Sequence, residues 1–267
     1  MPEKKNSLSP PVVVRDLDHN DKKFFVVRDD LLPGGTKQRA CAPLLEDLVS
    51  QGYSDFYYAS PFAGFAQVAL AYTCQQLNLK CVLFCEQDRT KAETKIAHEF
   101  TILAESFGAK IHLVASLDEA ESECQREQLQ VKHAYKIPLG FNCEPFLLSF
   151  EKELRKQWLI LIDTIGFMPS RIWLPVGSGT LISIFEKVIP QTTKIIGVDV
   201  KVLNRDDSRI VSIYQNSRLN LFSAPEYFQD KADLPPQIPS NLHYDAKVWQ
   251  FLMRYGKDKD LWWNVAK

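Results

Sequence analysis

Arg171-Ile172-Trp173-Leu174-Pro175-Val176-Gly177-Ser178-Gly179-Thr180-Leu181 is the stretch whose reading decides the fold. Its first six residues are dominated by bulky apolar side chains and read as a buried strand. Gly-Ser-Gly-Thr then makes a sharp turn, and Leu181 to Val188 reads as a helix. Strand, glycine turn and helix in that order form the building unit of a layered α/β fold. Downstream, Lys194 to Val200 reads as the next strand. Upstream, strands are expected at Phe24–Val27, Asp55–Ala59, Lys80–Cys85 and Ile111–Val114. Helices are expected at Thr36–Gln51, Gly64–Leu77 and Arg89–Phe107, with an amphipathic segment at Phe146–Lys156. Leu261 to Val265 reads as a final core strand with no chemistry of its own. Alternation with short connections predicts an α/β protein with mostly parallel sheets. In such sheets ligands sit beyond the carboxyl ends of the strands.

Composition narrows the function classes. The 267 residues are 45% apolar and 24% charged, enough to bury one large core or two modest ones. That excludes a disordered, fibrous or disulfide-stapled chain. Formal charge is −1, from 32 Lys and Arg against 33 Asp and Glu, so no broad basic field draws the chain to nucleic acid. The start, MPEKKNSLSPPVVV, has no apolar core of signal-peptide length, and no run is long enough to span a bilayer. A cytoplasmic location and no membrane partner are expected. The six cysteines form no CxxC pair and stand beside no histidine cluster, so they read as reduced, mostly buried thiols rather than metal ligands.

Three segments have chemical potential. Gly177, Ser178, Gly179 and Thr180 place small residues at a helix N-terminus, where free N–H groups and the dipole can hold a phosphate. A tight structural turn would read the same way, and neither the P-loop lysine nor GxGxxG spacing is present. In Arg28-Asp29-Asp30-Leu31-Leu32-Pro33-Gly34-Gly35-Thr36-Lys37, two acids and a Gly-Gly turn lead to a lysine that opens a helix. Burial and the helix's positive end would favour the free amine needed for imine chemistry. In His243-Tyr244-Asp245-Ala246-Lys247, Asp245 reads as an N-cap that could also face a ligand.

Taken in order, these motifs resemble the pyridoxal-phosphate enzymes of the tryptophan-synthase-β-like fold, fold type II. The branch they resemble holds 1-aminocyclopropane-1-carboxylate deaminase and D-cysteine desulfhydrase. Gly34-Gly35-Thr36-Lys37-Gln38-Arg39 matches its Gly-Gly-x-Lys-x-Arg helix start. Tyr57 to Leu77 matches the following strand, turn and helix, and Tyr135-Lys136-Ile137-Pro138-Leu139-Gly140 its Tyr-x-Ile-Pro-x-Gly. Gly177–Thr180 matches the phosphate cup and Tyr244-Asp245-Ala246-Lys247 the segment that faces the pyridine nitrogen. The resemblance covers roughly residues 24–265. It implies two open, mostly parallel α/β layers with the cofactor in the cleft between them. Residues 1–48 and 146–267 would form the larger, cofactor-binding domain and 49–145 a smaller inserted one. A homodimer is also implied.

The resemblance assigns pyridoxal 5'-phosphate as cofactor, Lys37 as its Schiff-base lysine and general base, Gly177, Ser178, Gly179 and Thr180 as phosphate binders, and Asp245 as partner of the ring nitrogen. Tyr244 would touch substrate or cofactor edge. The branch usually has Ser-Asn after its second strand; here Ser60-Pro61-Phe62-Ala63-Gly64-Phe65-Ala66-Gln67 carries Phe62 and Ala63 there, leaving Ser60 and Gln67 as candidate substrate binders. An acid at position 245 keeps the ring nitrogen protonated and favours a developed carbanion. Loss of the Ser-Asn pair and the short chain make the sequence similar to compact phage-borne members of the fold. The implied function is a lyase that decarboxylates an amino acid attached to thymidine during DNA hypermodification, in the host cytoplasm if phage-encoded. Deamination or desulfhydration of a free small amino acid, and a non-catalytic pyridoxal-phosphate carrier, are the alternatives.

Overall fold

The computed structural model describes residues 7–88 and 97–267. In chain order the elements are β1 (Val14–His19), β2 (Lys22–Arg28), α1 (Gly35–Ser50), β3 (Asp55–Ser60), α2 (Ala66–Leu77), β4 (Lys80–Glu86), α3 (Glu99–Ser106) and β5 (Lys110–Val114). They continue with α4 (Leu117–Gln128), β6 (Ala134–Ile137), α5 (Glu144–Ile165), β7 (Arg171–Val176), α6 (Thr180–Val188), β8 (Lys194–Asp199), α7 (Ser208–Tyr214), β9 (Leu219–Ser223), α8 (Asp245–Tyr255) and β10 (Leu261–Asn264). The chain divides into two compact units. Among the described residues, one holds 7–9 and Lys37–Ser149, and the other Pro10–Thr36 with Phe150–Lys267.

The second unit is built on a six-stranded sheet in the order β1-β2-β10-β7-β8-β9. Only β1 and β2 run antiparallel. Their hairpin turns through Asn20 (φ 48°) and Asp21 (φ 58°), the left-handed pair that matches the twist of the flanking strands. The remaining pairs are parallel, and β7 and β8 are buried along nearly their whole length, which explains why their sequences are almost continuously apolar. Pro175 is tolerated inside β7 because the β10 ladder on that strand ends at Trp173. Phe24, Val26, Trp173, Ile196, Val198, Val248, Leu252 and Trp262 pack into one core cluster beneath α8. At about 1.5–3 kcal/mol for each large side chain taken from water, this cluster supplies much of the unit's stability.

One charged group is built into that sheet. Asp260, fully buried, accepts from Arg171 Nε at 2.8 Å and Nη2 at 2.5 Å, from Trp173 Nε1 at 2.7 Å and from the Lys257 N–H at 3.0 Å. It anchors the entry of β10 onto β7.

The first unit carries a four-stranded parallel sheet, β5-β4-β3-β6. Tyr57, Ala59, Val82, Phe84, Val114, Ala120 and Cys124 form a core cluster there. The described cysteines are unpaired thiols, buried except for partly exposed Cys143.

Three sequence expectations change. The helix placed at 89–107 begins at Glu99, where the His98 ring nitrogen accepts from the Phe100 N–H; positions 89–96 lie outside the described residues. The helix placed at Gly64 begins at Ala66, because the Gly64 N–H closes a turn onto the Pro61 carbonyl instead. Asp245 is not an N-cap: it is the first residue of α8, with Tyr244 in the cap position and no side-chain cap bond.

Removing the anchor tests its weight. Asp260→Ala should strand the Arg171 guanidinium and the Trp173 indole, costing ~3–5 kcal/mol in equilibrium urea unfolding. A loss below ~1 kcal/mol would make Asp260 an ordinary surface pair.

Candidate active site

Lys37 stands in the first turn of α1, after Gly35 (φ 63°) turns the chain from the 3₁₀ turn Asp29–Leu31 into the helix. Its Nζ donates to the Gly140 carbonyl at 2.9 Å. The rings of Phe141 and Phe146 lie 5.7 and 5.6 Å from the ammonium. Burial lowers the amine from its ordinary value to about 8, with only the neighbouring Cys41 thiol acting in the other direction among the described residues. Near neutral pH a useful fraction of Lys37 is therefore the nucleophilic free amine.

The turn that supplies the Gly140 carbonyl is unusual. Gly140 (φ 70°) and Phe141 (φ 62°) are both left-handed, and Phe141 is fully buried. A bulky residue there costs about 1–2 kcal/mol per residue. Its ring meets Tyr58 and Phe146 edge to face, and the Tyr58 hydroxyl accepts from the Gly140 N–H at 3.4 Å.

In the second unit, β7 ends at Val176 and the chain turns through Gly177–Gly179 into α6. Gly179 is left-handed (φ 79°), which aims the following N–H groups along the helix axis. Among the described residues, the N–H groups of Gly177, Ser178 and Gly179 donate to no backbone carbonyl. The Ser178 and Thr180 hydroxyls lie 3.1 Å apart. A side chain at Gly177 would strike Tyr244 Cε1 at 2.8 Å, so the Tyr244 ring rests directly on this turn.

Asp245 is fully buried. Its Oδ1 accepts from the Val265 N–H at 2.7 Å, while Oδ2 is buried with no hydrogen-bond partner among the described residues. Burial pushes its carboxyl well above the usual range, and the neighbouring Asp30 carboxylate adds to the shift. Asp30 itself is held by Arg28 through a bidentate pair at 2.7 Å on both oxygens.

The family of pyridoxal-phosphate dependent enzymes matches residues 9–246 of this chain. The chain belongs to that family. Its fold is that of solved members of fold type II. It is similar to a 1-aminocyclopropane-1-carboxylate deaminase homologue at TM-score 0.72 and 16% identity, covering 97% of this chain and 90% of that one. It is also similar to apo diaminopropionate ammonia lyase of Escherichia coli (TM-score 0.68, 15% identity, 96% and 82% covered). A third likeness is O-acetylserine-dependent cystathionine β-synthase of Helicobacter pylori (TM-score 0.70, 14% identity, 100% and 96% covered).

The cofactor of this pyridoxal-phosphate enzyme is pyridoxal 5'-phosphate, and the residues fit it. Lys37 offers an enclosed amine. The turn offers a phosphate the N–H groups of Gly177, Ser178 and Gly179, which donate to no backbone carbonyl among the described residues, with the Ser178 and Thr180 hydroxyls beside them. Asp245 offers a buried oxygen with no partner, suited to a heteroaromatic N–H. Lys37 lies in the first unit; Tyr244, Asp245 and the turn lie together in the second.

Ser60 and Gln67 face inward. The Ser60 hydroxyl donates to the Pro61 carbonyl at 3.1 Å. Gln67 donates to the Gly64 carbonyl, and its Oε1 accepts from Cys85 Sγ and Thr101 Oγ1. Sequence reasoning passed over Phe141, Trp263 and the Val265 amide. Nothing in the local pattern marks a left-handed phenylalanine or a backbone N–H aimed at a carboxylate.

Two measurements follow from these environments. Competitive acylation of the cofactor-free protein should give Lys37 an apparent pKa near about 8, not the ~10.4 of a solvated lysine. Asp245 binds its proton more tightly folded than unfolded. The folded state therefore loses stability as pH rises from ~4, the unfolded value, through the raised folded value. Asp245→Asn keeps an acceptor for Val265, so it should raise Tm of the cofactor-free protein at about pH 8 and change it little at about pH 4. A lower Tm at both would refute a protonated Asp245.

Proposed function

We propose that this enzyme is a lyase that develops negative charge at Cα of an amino-acid-type substrate, and that the bond it breaks is the one to the carboxylate. Pyridoxal phosphate, when bound, supplies the electron sink for that charge. The observation that carries the reading is Asp245: a fully buried acid with one oxygen tied to Val265 and the other without a hydrogen-bond partner among the described residues. Such a group holds a proton at the ring nitrogen, and a protonated ring accepts a full carbanion. A neutral hydroxyl in that place would suit elimination better.

The other residues take matching roles. The Gly177–Thr180 turn binds the phosphate through its N–H groups and hydroxyls. Tyr244, seated on Gly177, borders the phosphate turn and is poised to orient cofactor or substrate. Lys37, once its amine is free, gives or takes the proton at Cα, and a pKa near about 8 suits both directions. Ser60 and Gln67 direct their hydrogen bonds to neighbouring groups of the first unit.

A second reading is release of ammonia from a free amino acid. It draws support from the lyases among the similar folds, the diaminopropionate ammonia lyase and the deaminase homologue. In either reading the substrate amine is free. We take the substrate of the first to be an amino acid joined to thymidine in DNA.

Borohydride treatment of the loaded enzyme should fix the cofactor to the peptide containing Lys37, and Lys37→Ala should lower turnover by about 10²–10⁴. Label on another lysine would remove Lys37 from the chemistry. Incubation with aminoacyl-thymidine DNA, followed by mass spectrometry, should show loss of carbon dioxide. Ammonia from free D-cysteine or 1-aminocyclopropane-1-carboxylate, with the DNA unchanged, would establish the second reading instead.

A further inference from the structure

The last strand does more than fill the core. Trp263, fully buried on β10, packs its ring against Phe185 at 4.8 Å. Its indole N–H is shared between two acceptors, Asp29 Oδ2 at 3.1 Å and Thr36 Oγ1 at 3.0 Å. Thr36, also fully buried, is the residue before Lys37. Two positions after Trp263, the Val265 carbonyl accepts from the Thr36 N–H at 3.0 Å. The Val265 N–H, as described, holds Asp245 Oδ1. Trp263 and Val265 thus grip both the first turn of the lysine helix and the interior acid.

The arrangement is specific in ways that core packing does not require. A buried indole N–H needs one acceptor, and this one bridges two side chains from either side of the Gly34-Gly35 turn. Thr36 sits among the N-terminal residues of α1, whose N–H groups have no partner within the helix. Its N–H is satisfied by β10's extension instead of by a cap. The same peptide segment then leaves Asp245 with one oxygen fixed and the other open. Any shift of the 263–265 backbone moves both.

We propose that Trp263 and the backbone of Val265 are positioning groups for the reaction, a strap that sets where Lys37 emerges from its turn and which oxygen Asp245 presents. The proposal rests on the reading of Lys37 and Asp245 as cofactor partners, but its central measurement needs no cofactor.

Trp263→Phe keeps the ring and removes the N–H. Thr36→Val keeps the shape and the backbone N–H and removes Oγ1. In the cofactor-free protein, either change should speed amide hydrogen exchange at Thr36 and Val265 on the order of tenfold, with the β7–β8 amides unchanged. In the loaded protein, either should weaken cofactor retention on the order of tenfold, as followed by its visible absorption. The double variant should lose no more than Trp263→Phe alone, because the bond that Thr36→Val removes is one of the two that Trp263→Phe removes. Unchanged exchange at Thr36 and Val265 overturns the strap, and so does faster exchange with cofactor retention intact. If one variant does not fold, the other decides. Wild-type cofactor retention by Lys37→Ala would instead sink the assignment of Lys37 and leave the exchange result standing.

Discussion

A carboxyl group in a dry interior, with one oxygen tied to a backbone N–H and the other without a hydrogen-bond partner among the described residues, is the constraint around which the second unit is arranged. Asp245 cannot hold a bare charge there without a large solvation penalty. Two arrangements relieve it: a proton on the oxygen, or a cationic partner brought to it. The fold prepares for both. Arg28 is spent on Asp30 and so does not neutralise Asp245. The backbone before α8 is bent out of cap geometry at Tyr244 (φ −124°, ψ −86°), which frees the Asp245 side chain from the capping duty its position would suggest. A helix start without its cap is a local cost accepted for a site.

The amine and the acid are perturbed by one cause acting in opposite senses. Burial lowers Lys37 and raises Asp245, so each drifts toward its uncharged form. Groups shifted this way concentrate at functional sites, because ordinary ion pairs shift the other way. The contrast with Asp207 is instructive. Its bond to Arg209 lowers it to about 2, the behaviour of a structural pair at the surface. Burial also raises the Cys41 and Cys85 thiols, so the shift by itself marks enclosure, and it is the geometry around Lys37 and Asp245 that sets those two groups apart.

Much of this was legible in the sequence where a residue type has few uses. The β7 run, the Gly-Ser-Gly-Thr turn and the Gly-Gly-x-Lys helix start each announce strand, turn and helix, and the family match bears out the cofactor they point to. The β1–β2 hairpin was missed because Asn20-Asp21 lacks the glycine that usually signals such a turn. β6, α4, α7 and β9 are short or highly charged, and their period is weak. Position alone suggests a cap at Asp245 and the resemblance a partner for the ring nitrogen; the Val265 N–H that holds it lies twenty residues away and has no side-chain signature. Trp263 looked like filling because an indole in a core strand usually is.

The left-handed phenylalanine at position 141 has a historical consequence. Only glycine, and to a lesser degree asparagine, relaxes in that backbone. Glycine would also delete the ring that meets Tyr58 and Phe146 edge to face and lies beside the amine. Most single replacements keep the strain and lose that ring, so drift at this position has almost no neutral exit. A descendant with a roomier cavity around its lysine would have to pass through glycine and then rebuild the wall from another element.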